Sequence, residues 1–358
     1  MNRAIVITGG AGFIGCALAK ELGERNLPIV VVDNLHPQIH PERERPKALP
    51  DFVNFVKGDV TEGATWDQVL ADWIPAVVVH LAAETGTGQS LTEASRHANV
   101  NVVGTTVMLD AFTRHGVKPE HIVLSSSRAV YGEGAWRDET GKLFYPAPRS
   151  HGVLAAGKWD PQPPGGSGSA TPLAHACGRI FPAPTSVYGA TKLAQEHILG
   201  AWCAAMQVPL SIFRLQNVYG PGQSPFNAYT GIITLFIRQA RMGKVLDVYE
   251  DGRIGRDFVF IDDVASALAA GMANPPLERR LLDVGHGVVT TIYQAACIIA
   301  RQQAAPAPVI TGKYRDGDVR WAVADVEPLA RELNVRPAVA FEEGARRVAS
   351  WLVERGYA

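Results

Sequence analysis

The sequence predicts an α/β fold in which a doubly wound parallel sheet is followed by a smaller C-terminal α/β region. Runs of Val and Ile alternate with amphipathic helical patterns through residues 1–216, as expected of strands buried on both faces of a parallel sheet. A glycine-rich turn separates the first apolar run from the first helical pattern. The order of elements becomes less regular after residue 216, and we therefore predict a second domain over residues 217–358.

Six strands and four helices are predicted in the first domain, an order that right-handed crossovers wind into one sheet. The strands are Ala4–Thr8, Ile29–Asp33, Phe52–Val56, Ala76–Leu81, His121–Ser126 and Leu210–Leu215. The helices are Gly12–Glu24, Thr65–Asp72, Thr92–Arg114 and Val187–Met206. In the second domain we expect helices at Ile232–Met242, Val264–Met272, Ile292–Arg301 and Phe341–Arg355, with short strands at Asp257–Ile261 and Leu281–Val284.

Length and composition set limits on function. The 358 residues are 47% hydrophobic with a formal net charge of -1, which gives no bulk electrostatic basis for binding nucleic acid or a membrane surface. No apolar run reaches membrane-spanning length and no signal peptide is recognisable near Met1, so we expect a cytoplasmic location. The four cysteines and the scattered histidines lack metal-ligand spacing, and no metal site is predicted.

A proline- and glycine-rich insert lies at about residues 135–185 of the first domain. Residues 146–184 hold eight of the 24 prolines and include the run Pro163-Pro164-Gly165-Gly166. Such a stretch cannot continue a helix or a central strand, and we interpret it as an inserted surface loop. It is either a disordered spacer or an ordered lid over the site.

The glycine-rich turn carries the first functional signal. Gly9, Gly12 and Gly15 let the backbone turn tightly, approach a pyrophosphate and pack the helix on the sheet. A pyrophosphate would then lie at the helix N-terminus, where free N–H groups favour an anion. Because a strand precedes the turn and a helix follows it, we predict a dinucleotide site; the alternative is a glycine turn without a ligand.

An acidic residue at the end of the second strand indicates which dinucleotide binds. The carboxylate of Asp33 is placed to accept both ribose hydroxyls of the adenosine half, and it would repel a 2′-phosphate. We therefore predict NAD rather than NADP, with a turn or helix-cap aspartate as the alternative. Asp59, after the third strand, is placed to hydrogen-bond adenine or is an ordinary turn aspartate.

The predicted catalytic groups are a phenol, an ammonium and a hydroxyl. Tyr188 and Lys192 are four residues apart at the start of a helix and share one face. A lysine ammonium nearby would favour the phenolate, which can take a proton from a sugar hydroxyl. Ser127 ends the fifth strand, at the carboxyl edge where ligands bind in such sheets. The alternatives are an ordinary amphipathic helix surface and a strand that simply ends in serines.

With these motifs, the chain resembles the extended short-chain dehydrogenase/reductase family, in particular its nucleotide-sugar epimerases, which have a Rossmann-like fold. The motifs that carry the resemblance are Thr8–Gly15, Asp33-Asn34-Leu35, Gly58-Asp59-Val60, Leu81-Ala82-Ala83, Asn101–Thr105, Ser125–Gly132, Tyr188–Lys192, Asn217–Gln223, Arg256–Val259 and Arg315–Arg320. Three stretches, Ser126–Gly134, Gln216–Ser224 and Tyr229–Ile232, are similar to the thymidine-diphosphate-L-rhamnose 4-epimerase branch.

The resemblance implies a role for individual residues. Ser127, Tyr188 and Lys192 would be catalytic, and Asn101 would hold the active-site backbone. The cofactor-binding residues would be Gly9, Gly12, Phe13, Ile14, Gly15, Asp33, Asn34, Asp59, Val60, Leu81, Ala82, Ala83, Asn101, Ser125, Tyr188, Lys192 and Leu215. The substrate-binding residues would be Thr87, Ser127, Tyr188, Asn217, Arg256, Arg315 and Asp318. In this set Asn217 and the two arginines would hold the diphosphate.

The residues alone leave another interpretation of these arginines open. A guanidinium suits phosphate oxygens, but Arg256 could equally pair with Asp257, and Arg315 with Asp318, as surface ion pairs.

The resemblance implies an NAD-dependent nucleotide-sugar 4-epimerase that passes through a transient 4-keto sugar. The substrate would be a dTDP-6-deoxyhexose such as dTDP-L-rhamnose, or a UDP-hexose, bound by the region 217–358. Helices 92–114 and 187–206 look apolar on more than one side, and in the family such helices form a dimer, so a homodimer is expected.

Three alternatives to an epimerase remain: a dehydratase, a 4-ketoreductase and a non-catalytic NAD-binding protein. Arg128 and Ala129 follow Ser127 where related dehydratases carry an Asp-Glu pair, which counts against a dehydratase. Asp33 counts against an NADPH-using reductase. The complete set of serine, tyrosine and lysine counts against a protein that only binds NAD.

Overall fold

The computed structural model describes residues 2–23, 27–166, 168–225 and 231–357. The predicted helix end at Glu24 and the Tyr229-Thr230 pair lie outside the described residues. The strands are β1 Asn2–Thr8, β2 Ile29–Asp33, β3 Asn54–Lys57, β4 Trp73–His80, β5 His121–Ser127, β6 Trp136–Asp138, β7 Leu143–Phe144, β8 Ala170–Pro172, β9 Leu210–Leu215, β10 Asn217–Tyr219, β11 Asp247–Val248, β12 Gly255–Phe260, β13 Arg279–Val284, β14 Val289–Thr291, β15 Val309–Ile310 and β16 Trp321–Ala322. The α-helices are α1 Phe13–Leu22, α2 Gly63–Asp72, α3 Ala94–Ala98, α4 Gly104–Arg114, α5 His151–Ala155, α6 Val187–Met206, α7 Ile232–Arg241, α8 Ile261–Ala273, α9 Ile292–Gln302, α10 Glu327–Leu333 and α11 Phe341–Glu354.

A seven-stranded parallel sheet forms the centre of the protein. Its strand order is β13-β9-β5-β4-β1-β2-β3, and every neighbouring pair is parallel. The chain winds outward from β1 in both directions, so the order reverses between β1 and β4 and opens a crevice at the carboxyl ends. Strand residues such as Val30 and Val78 are fully buried, as strands covered on both faces require. The predicted doubly wound α/β fold is confirmed.

The seventh strand comes from the part of the chain that we assigned to the smaller region. Strand β13 pairs with β9, with Leu282 opposite Phe213. Helix α8 packs on the same face of the sheet as α1, and Gly271 lets it approach closely, because a Cβ there would lie 2.3 Å from the Phe213 ring. The element after residue 217 therefore contributes to the main sheet, a long-range pairing that local patterns do not reveal. The division of the chain at residue 216 stays a prediction.

The remaining C-terminal elements surround strand β12. This strand pairs in parallel with β10 and β16 and antiparallel with β14. Helices α7, α9 and α11 cover it, and Tyr219, Phe258, Phe260 and Phe341 pack their rings together at its centre. None of the described helices combines the length and the apolar character needed to cross a membrane.

The insert is a packed element in its described residues, and the disordered-spacer alternative is wrong for them. Strands β6, β7 and β8 form a small antiparallel sheet, and the Trp136 and Leu154 side chains are buried. After this sheet the chain pairs with the C-terminal region, where His175 N–H donates to the Val323 carbonyl at 2.6 Å and Asp325 N–H donates to the His175 carbonyl at 2.7 Å.

Candidate active site

One large cavity lies at the carboxyl ends of the central strands. It has a volume of about 2290 Å³, above the range of about 300–1,000 Å³ that holds one small ligand. Every site residue predicted from the sequence lines this cavity except Asn101. Among the described residues, no group of three or more His, Cys, Asp or Glu side chains could hold a metal ion.

The glycine-rich turn forms one wall of the cavity. Gly9 has a φ of 64°, and a Cβ there would lie 2.7 Å from the Ala82 backbone. Gly15 packs against Gly10, where a Cβ would meet the Gly10 Cα at 2.4 Å. Helix α1 begins after Gly12 with no side-chain cap and no acidic residue in its first turn, so its N–H groups remain available to an anion. This cradle fits the pyrophosphate of a dinucleotide.

Asp33 is held in place beside this cradle. Its carboxylate accepts N–H groups from Ala11 at 3.1 Å and from Leu35 at 2.9 Å. Burial raises the pKa of Asp33 above its ordinary value. The neighbouring Asn34 donates its side-chain amide to Asp59 at 2.8 Å, which holds the Asp59 carboxylate beside the segment that carries Asp33.

The wall around Asp33 fits a ribose without a 2′-phosphate. Between residues 33 and 60 the cavity is lined by carboxylates, histidines and neutral side chains, with no Lys or Arg in the described chain. A 2′-phosphate would face the Asp33 carboxylate. The Arg96 guanidinium contacts His36 and Gln38 of this wall. It is already paired with the carboxylates of Glu84 and Glu93. The chemistry of this wall favours NAD over NADP.

Ser127 and Tyr188 meet at the centre of the cavity. Ser127 ends β5 and its Oγ accepts the Ala129 N–H at 3.1 Å, while Ser186 caps α6 two residues before Tyr188. The Ser127 and Tyr188 side chains both line the cavity, and the serine hydroxyl is near enough to influence the pKa of the phenol. Burial raises the pKa of Tyr188, whereas the Ser127 hydroxyl and the positive charge of Arg128 lower it.

Lys192 lies on the same helix face as expected, but its ammonium has a different partner. Its Nζ donates to Gln195 Oε1 at 2.6 Å, and burial lowers the pKa of Lys192 to about 7. The Gln195 amide in turn contacts His80 and Thr105, which are buried. The cation that lowers the Tyr188 pKa in this structure is Arg128, and the effect of Lys192 on the phenol stays a prediction.

Asn101 does not line the cavity but bonds to the segments that do. It lies in a π-helical segment, Asn99–Val103, between α3 and α4. Its Nδ2 donates to the Glu84 carbonyl at 3.0 Å and to Thr191 Oγ1 at 2.9 Å, and its Oδ1 accepts the Glu84 N–H at 2.7 Å. It thereby ties the loop after β4 to helix α6.

The predicted diphosphate residues line the opposite end of the cavity. Arg256 is buried and donates to Asp318 Oδ1 at 2.6 Å and to the Val319 carbonyl at 2.8 Å. Burial by itself would raise the pKa of Asp318, but three neighbouring arginines, of which Arg256 has the largest effect, lower it. Arg315 is exposed, with its guanidinium 5.3 Å from the centre of the Tyr249 ring.

Neither ion pair considered as an alternative for these arginines is formed. The carboxylate of Asp257 accepts backbone N–H groups from His286, Gly287 and Ala324 instead of pairing with Arg256. Asp318 pairs with Arg256 and not with Arg315.

Arg128 was not predicted as part of this site. Arg128 lines the cavity and donates Nε–H to Asn217 Oδ1 at 2.8 Å. Its position directly after Ser127 was the available signal. None of the described insert residues lines the cavity, yet Arg149 of the insert donates to the Asp318 carbonyl at 2.7 Å from outside. The described part of the insert therefore contacts the site from outside, through Arg149, and its role as a lid stays a prediction.

Comparisons with known proteins agree with this geometry. The model of the NAD dependent epimerase/dehydratase family matches residues 5–151 and 165–285. The dTDP-L-rhamnose 4-epimerase of Burkholderia thailandensis is 52% identical over 353 residues, covering 99% of this chain and 96% of that protein. A dTDP-glucose 4,6-dehydratase of Neisseria gonorrhoeae is 28% identical, covering 99% of this chain and 96% of its own.

Solved structures give the same result. The UDP-glucose 4-epimerase of Thermotoga maritima, solved with UDP-glucose, has a TM-score of 0.78 and 25% identity, covering 98% of this chain and 99% of that chain. The UDP-glucose 4-epimerase of Thermus thermophilus, solved with NAD, has a TM-score of 0.77 and 26% identity, covering 99% of this chain and all (100%) of that chain. With the glycine cradle, Asp33 and the serine–tyrosine pair in one cavity, these matches show that the chain belongs to the NAD-dependent epimerase/dehydratase family, within the extended short-chain dehydrogenases/reductases.

Proposed function

We propose that this protein is an NAD-dependent nucleotide-sugar 4-epimerase that acts on a dTDP-linked 6-deoxyhexose, with dTDP-L-rhamnose as the first candidate. The observation that carries the proposal is the composition of the catalytic turn. Ser127 and Tyr188 line the cavity together, while positions 128 and 129 hold Arg and Ala, so this turn offers no carboxylic acid to expel water from a sugar. The similarity to the Burkholderia enzyme supplies the candidate substrate.

The residues would act on the sugar as follows. NAD, when bound, supplies an acceptor and donor of hydride for C4 of the sugar. Tyr188, once ionised, takes the proton of the C4 hydroxyl and returns it after the sugar has presented its other face. Ser127 hydrogen-bonds the same oxygen. Arg256 holds the diphosphate while the sugar end turns, so binding energy from remote groups is used at the reacting carbon.

The test is a product analysis with a matched pair of tyrosine variants. The purified protein is incubated with dTDP-L-rhamnose and separately with UDP-glucose, and NMR spectra are searched for the 4-epimer. Tyr188→Phe is expected to abolish turnover and to retain NAD, whereas Tyr145→Phe, which lies outside the cavity, is expected to leave both unchanged. Full activity in Tyr188→Phe would exclude this mechanism.

A dehydratase is the second candidate, because several relatives of about 28% identity have that activity, including the Neisseria enzyme. With dTDP-glucose added as a further substrate, it would release a 4-keto-6-deoxy sugar and water, and NMR would detect the new methyl signal of that product. An epimer without a keto product supports the first candidate.

We also propose that the protein is a cytoplasmic homodimer of carbohydrate biosynthesis. All four cysteines are unpaired, as is usual in a reducing compartment. The long helices carry apolar side chains that one chain leaves partly uncovered, such as Val103 at 44% and Met206 at 38% exposure. A second copy packed on these helices would cover them. Sedimentation that yields only the monomer mass would contradict the dimer.

A further inference from the structure

Arg128 is a cation at the centre of the site whose hydrogen bonds are incomplete. It starts the 3-10 turn Arg128–Tyr131 directly after Ser127 and is half-buried against the cavity. Its Nε–H donates to Asn217 Oδ1 at 2.8 Å. Within the described chain, no acceptor is bonded to its two terminal nitrogens, although a guanidinium has five N–H groups to satisfy.

The charges around Arg128 leave a local excess of positive charge. The neighbouring carboxylate, Asp318, is bonded to Arg256 at 2.6 Å. Glu133, which follows on the same turn, is bonded to Arg149 of the insert at 3.1 Å. Desolvation, together with Arg256, lowers the pKa of Arg128 to about 10, so it stays protonated at neutral pH and is destabilised by its surroundings. An anion bound between Arg128 and Arg256 would offset the free-energy cost of keeping these two positive charges close together and partly desolvated.

The diphosphate of the proposed substrate is an anion that could bind between these two arginines. A nucleotide sugar carries two linked phosphates, and guanidinium groups bind phosphate oxygens through paired N–H groups. Arg128 adjoins Ser127, which would act on the sugar carbon, whereas Arg256 is bonded to Asp318 and Val319, on the segment that carries Arg315. The phosphate nearest Arg128 is therefore the one that is linked to the sugar.

We propose that Arg128 is a substrate-binding residue, whose terminal N–H groups bind the sugar-linked phosphate and whose Nε–H orients the Asn217 amide toward the same anion. This rests on the proposed function. Because Asn217 Oδ1 accepts from Arg128, the Nδ2 group of Asn217 is the end that remains as a donor. Arg128 would thus bind the diphosphate directly and would also hold the Asn217 amide in the orientation that donates to the diphosphate.

The experiment separates the two phosphates. Binding of dTDP and of dTMP to the NAD-loaded protein is measured by calorimetry for the wild type, Arg128→Met, Arg128→Lys and the exposed control Arg137→Met. Arg128→Met is expected to weaken dTDP binding roughly 10- to 100-fold, the usual effect of hydrogen bonds to a charged group, and to leave dTMP binding unchanged. Arg128→Lys keeps the charge without the Nε donor and should restore part of the dTDP affinity.

A second readout reports on Tyr188, because the charge of Arg128 lowers the pKa of that phenol. Loss of the charge raises the pKa, so the acid limb of the kcat/KM profile moves to higher pH in Arg128→Met and stays in place in Arg128→Lys. This measurement does not depend on how well either variant folds, since each variant is compared with itself across pH.

The possible outcomes distinguish a failure of the Arg128 assignment from a failure of the proposed function. Equal losses for dTDP and dTMP, or no loss for either, would overturn the assignment of Arg128 and leave the proposed function standing. A wild-type protein that binds neither dTDP nor dTMP would overturn both. Normal NAD content with selective loss of dTDP affinity in Arg128→Met, and none in Arg137→Met, supports the assignment.

Discussion

Replacing Arg149 by Ala should destabilise the protein more than any other single change in the insert. Its guanidinium donates to Glu133 Oε1 at 3.1 Å, to both oxygens of Glu250 at 2.9 and 3.0 Å and to the carbonyls of Trp159 and Asp318 at 3.0 and 2.7 Å. The side chains of Arg149, Glu133 and Glu250 are only 3%, 1% and 1% exposed. Water therefore cannot take over these hydrogen bonds.

The loss of stability in Arg149→Ala depends on how well the buried carboxylates of Glu133 and Glu250 remain paired without the arginine. Breaking a buried ion pair by removing one partner costs about 3–5 kcal/mol, since the remaining charge is buried without compensation. Arg320 still donates to Glu250 at 2.9 Å and gives its backbone N–H to Glu133 at 2.8 Å. We therefore expect the lower end of the range, about 3 kcal/mol in the free energy of unfolding.

The loss should depend on pH. Burial already raises the pKa of Glu133, and without Arg149 that pKa rises further. Between the unfolded and folded pKa values the folded variant holds a proton that the unfolded chain has released, so its stability falls as pH rises. The deficit relative to wild type is complete above the folded pKa of Glu133 in the variant, and it shrinks as the pH falls toward the folded pKa of Glu133 in the wild type.

Urea unfolding followed by tryptophan fluorescence measures this deficit at one mildly acidic and one mildly alkaline pH, and the deficit is expected to be larger at the higher pH. Arg137→Ala is the control, because Arg137 is an exposed arginine of the same insert that donates only to the Gly141 carbonyl, at 2.9 Å. If Arg149→Ala and Arg137→Ala unfold within about 0.5 kcal/mol of each other at both pH values, the buried cluster does not hold the insert.

Three further changes test the cofactor and catalytic walls. Gly9→Ala should lower the melting temperature and the NAD content, because a Cβ would meet the Ala82 backbone at 2.7 Å; a normal cofactor-to-protein ratio would contradict this. Asp33→Asn should reduce the ratio of NADP to NAD dissociation constants at least tenfold, because it removes the repulsion between the carboxylate and the 2′-phosphate of NADP. An unchanged ratio in a competition assay between the two cofactors would contradict this. Gln195→Leu should lower kcat roughly 5- to 10-fold by removing the acceptor of Lys192, whereas Gln195→Glu, which keeps an acceptor, should not.

The first half of the fold was predictable from the sequence because its apolar runs mark the strands and these strands pair in the main sheet as expected. Strands β1 and β2 are continuous apolar runs that lie in the sheet as expected, since a parallel sheet buries both faces of each strand. Strand β13 was found as a strand but not as part of this sheet. Its partner β9 is about 70 residues earlier in the chain, and a pairing over that distance leaves no local periodicity to read.

Site residues were predictable from the sequence where the residue pattern by itself indicates a single function. They were not predictable where the function depends on which neighbour the folded chain brings into hydrogen-bonding distance. Glycines at a strand–helix turn, and a tyrosine four residues before a lysine, are patterns that point to one use. Arg256 and Lys192 could bond to several neighbours, and only the fold brings Asp318 to one and Gln195 to the other. The insert was the least readable part, because its proline content describes where helices cannot form and not what the segment packs against.

The insert and the catalytic turn are mechanically connected, which explains why a segment that never reaches the cavity matters to it. The turn from Arg128 to Glu133 is fixed at its start by the Ser127 hydroxyl, which accepts the Ala129 N–H. At its end, Glu133 is held by Arg149 of the insert and by the Arg320 backbone. The family match is interrupted at residues 152–164, immediately after this arginine. The chain can therefore vary the outer part of the insert while Arg149 still sets where the turn, and with it Arg128, lies in the cavity.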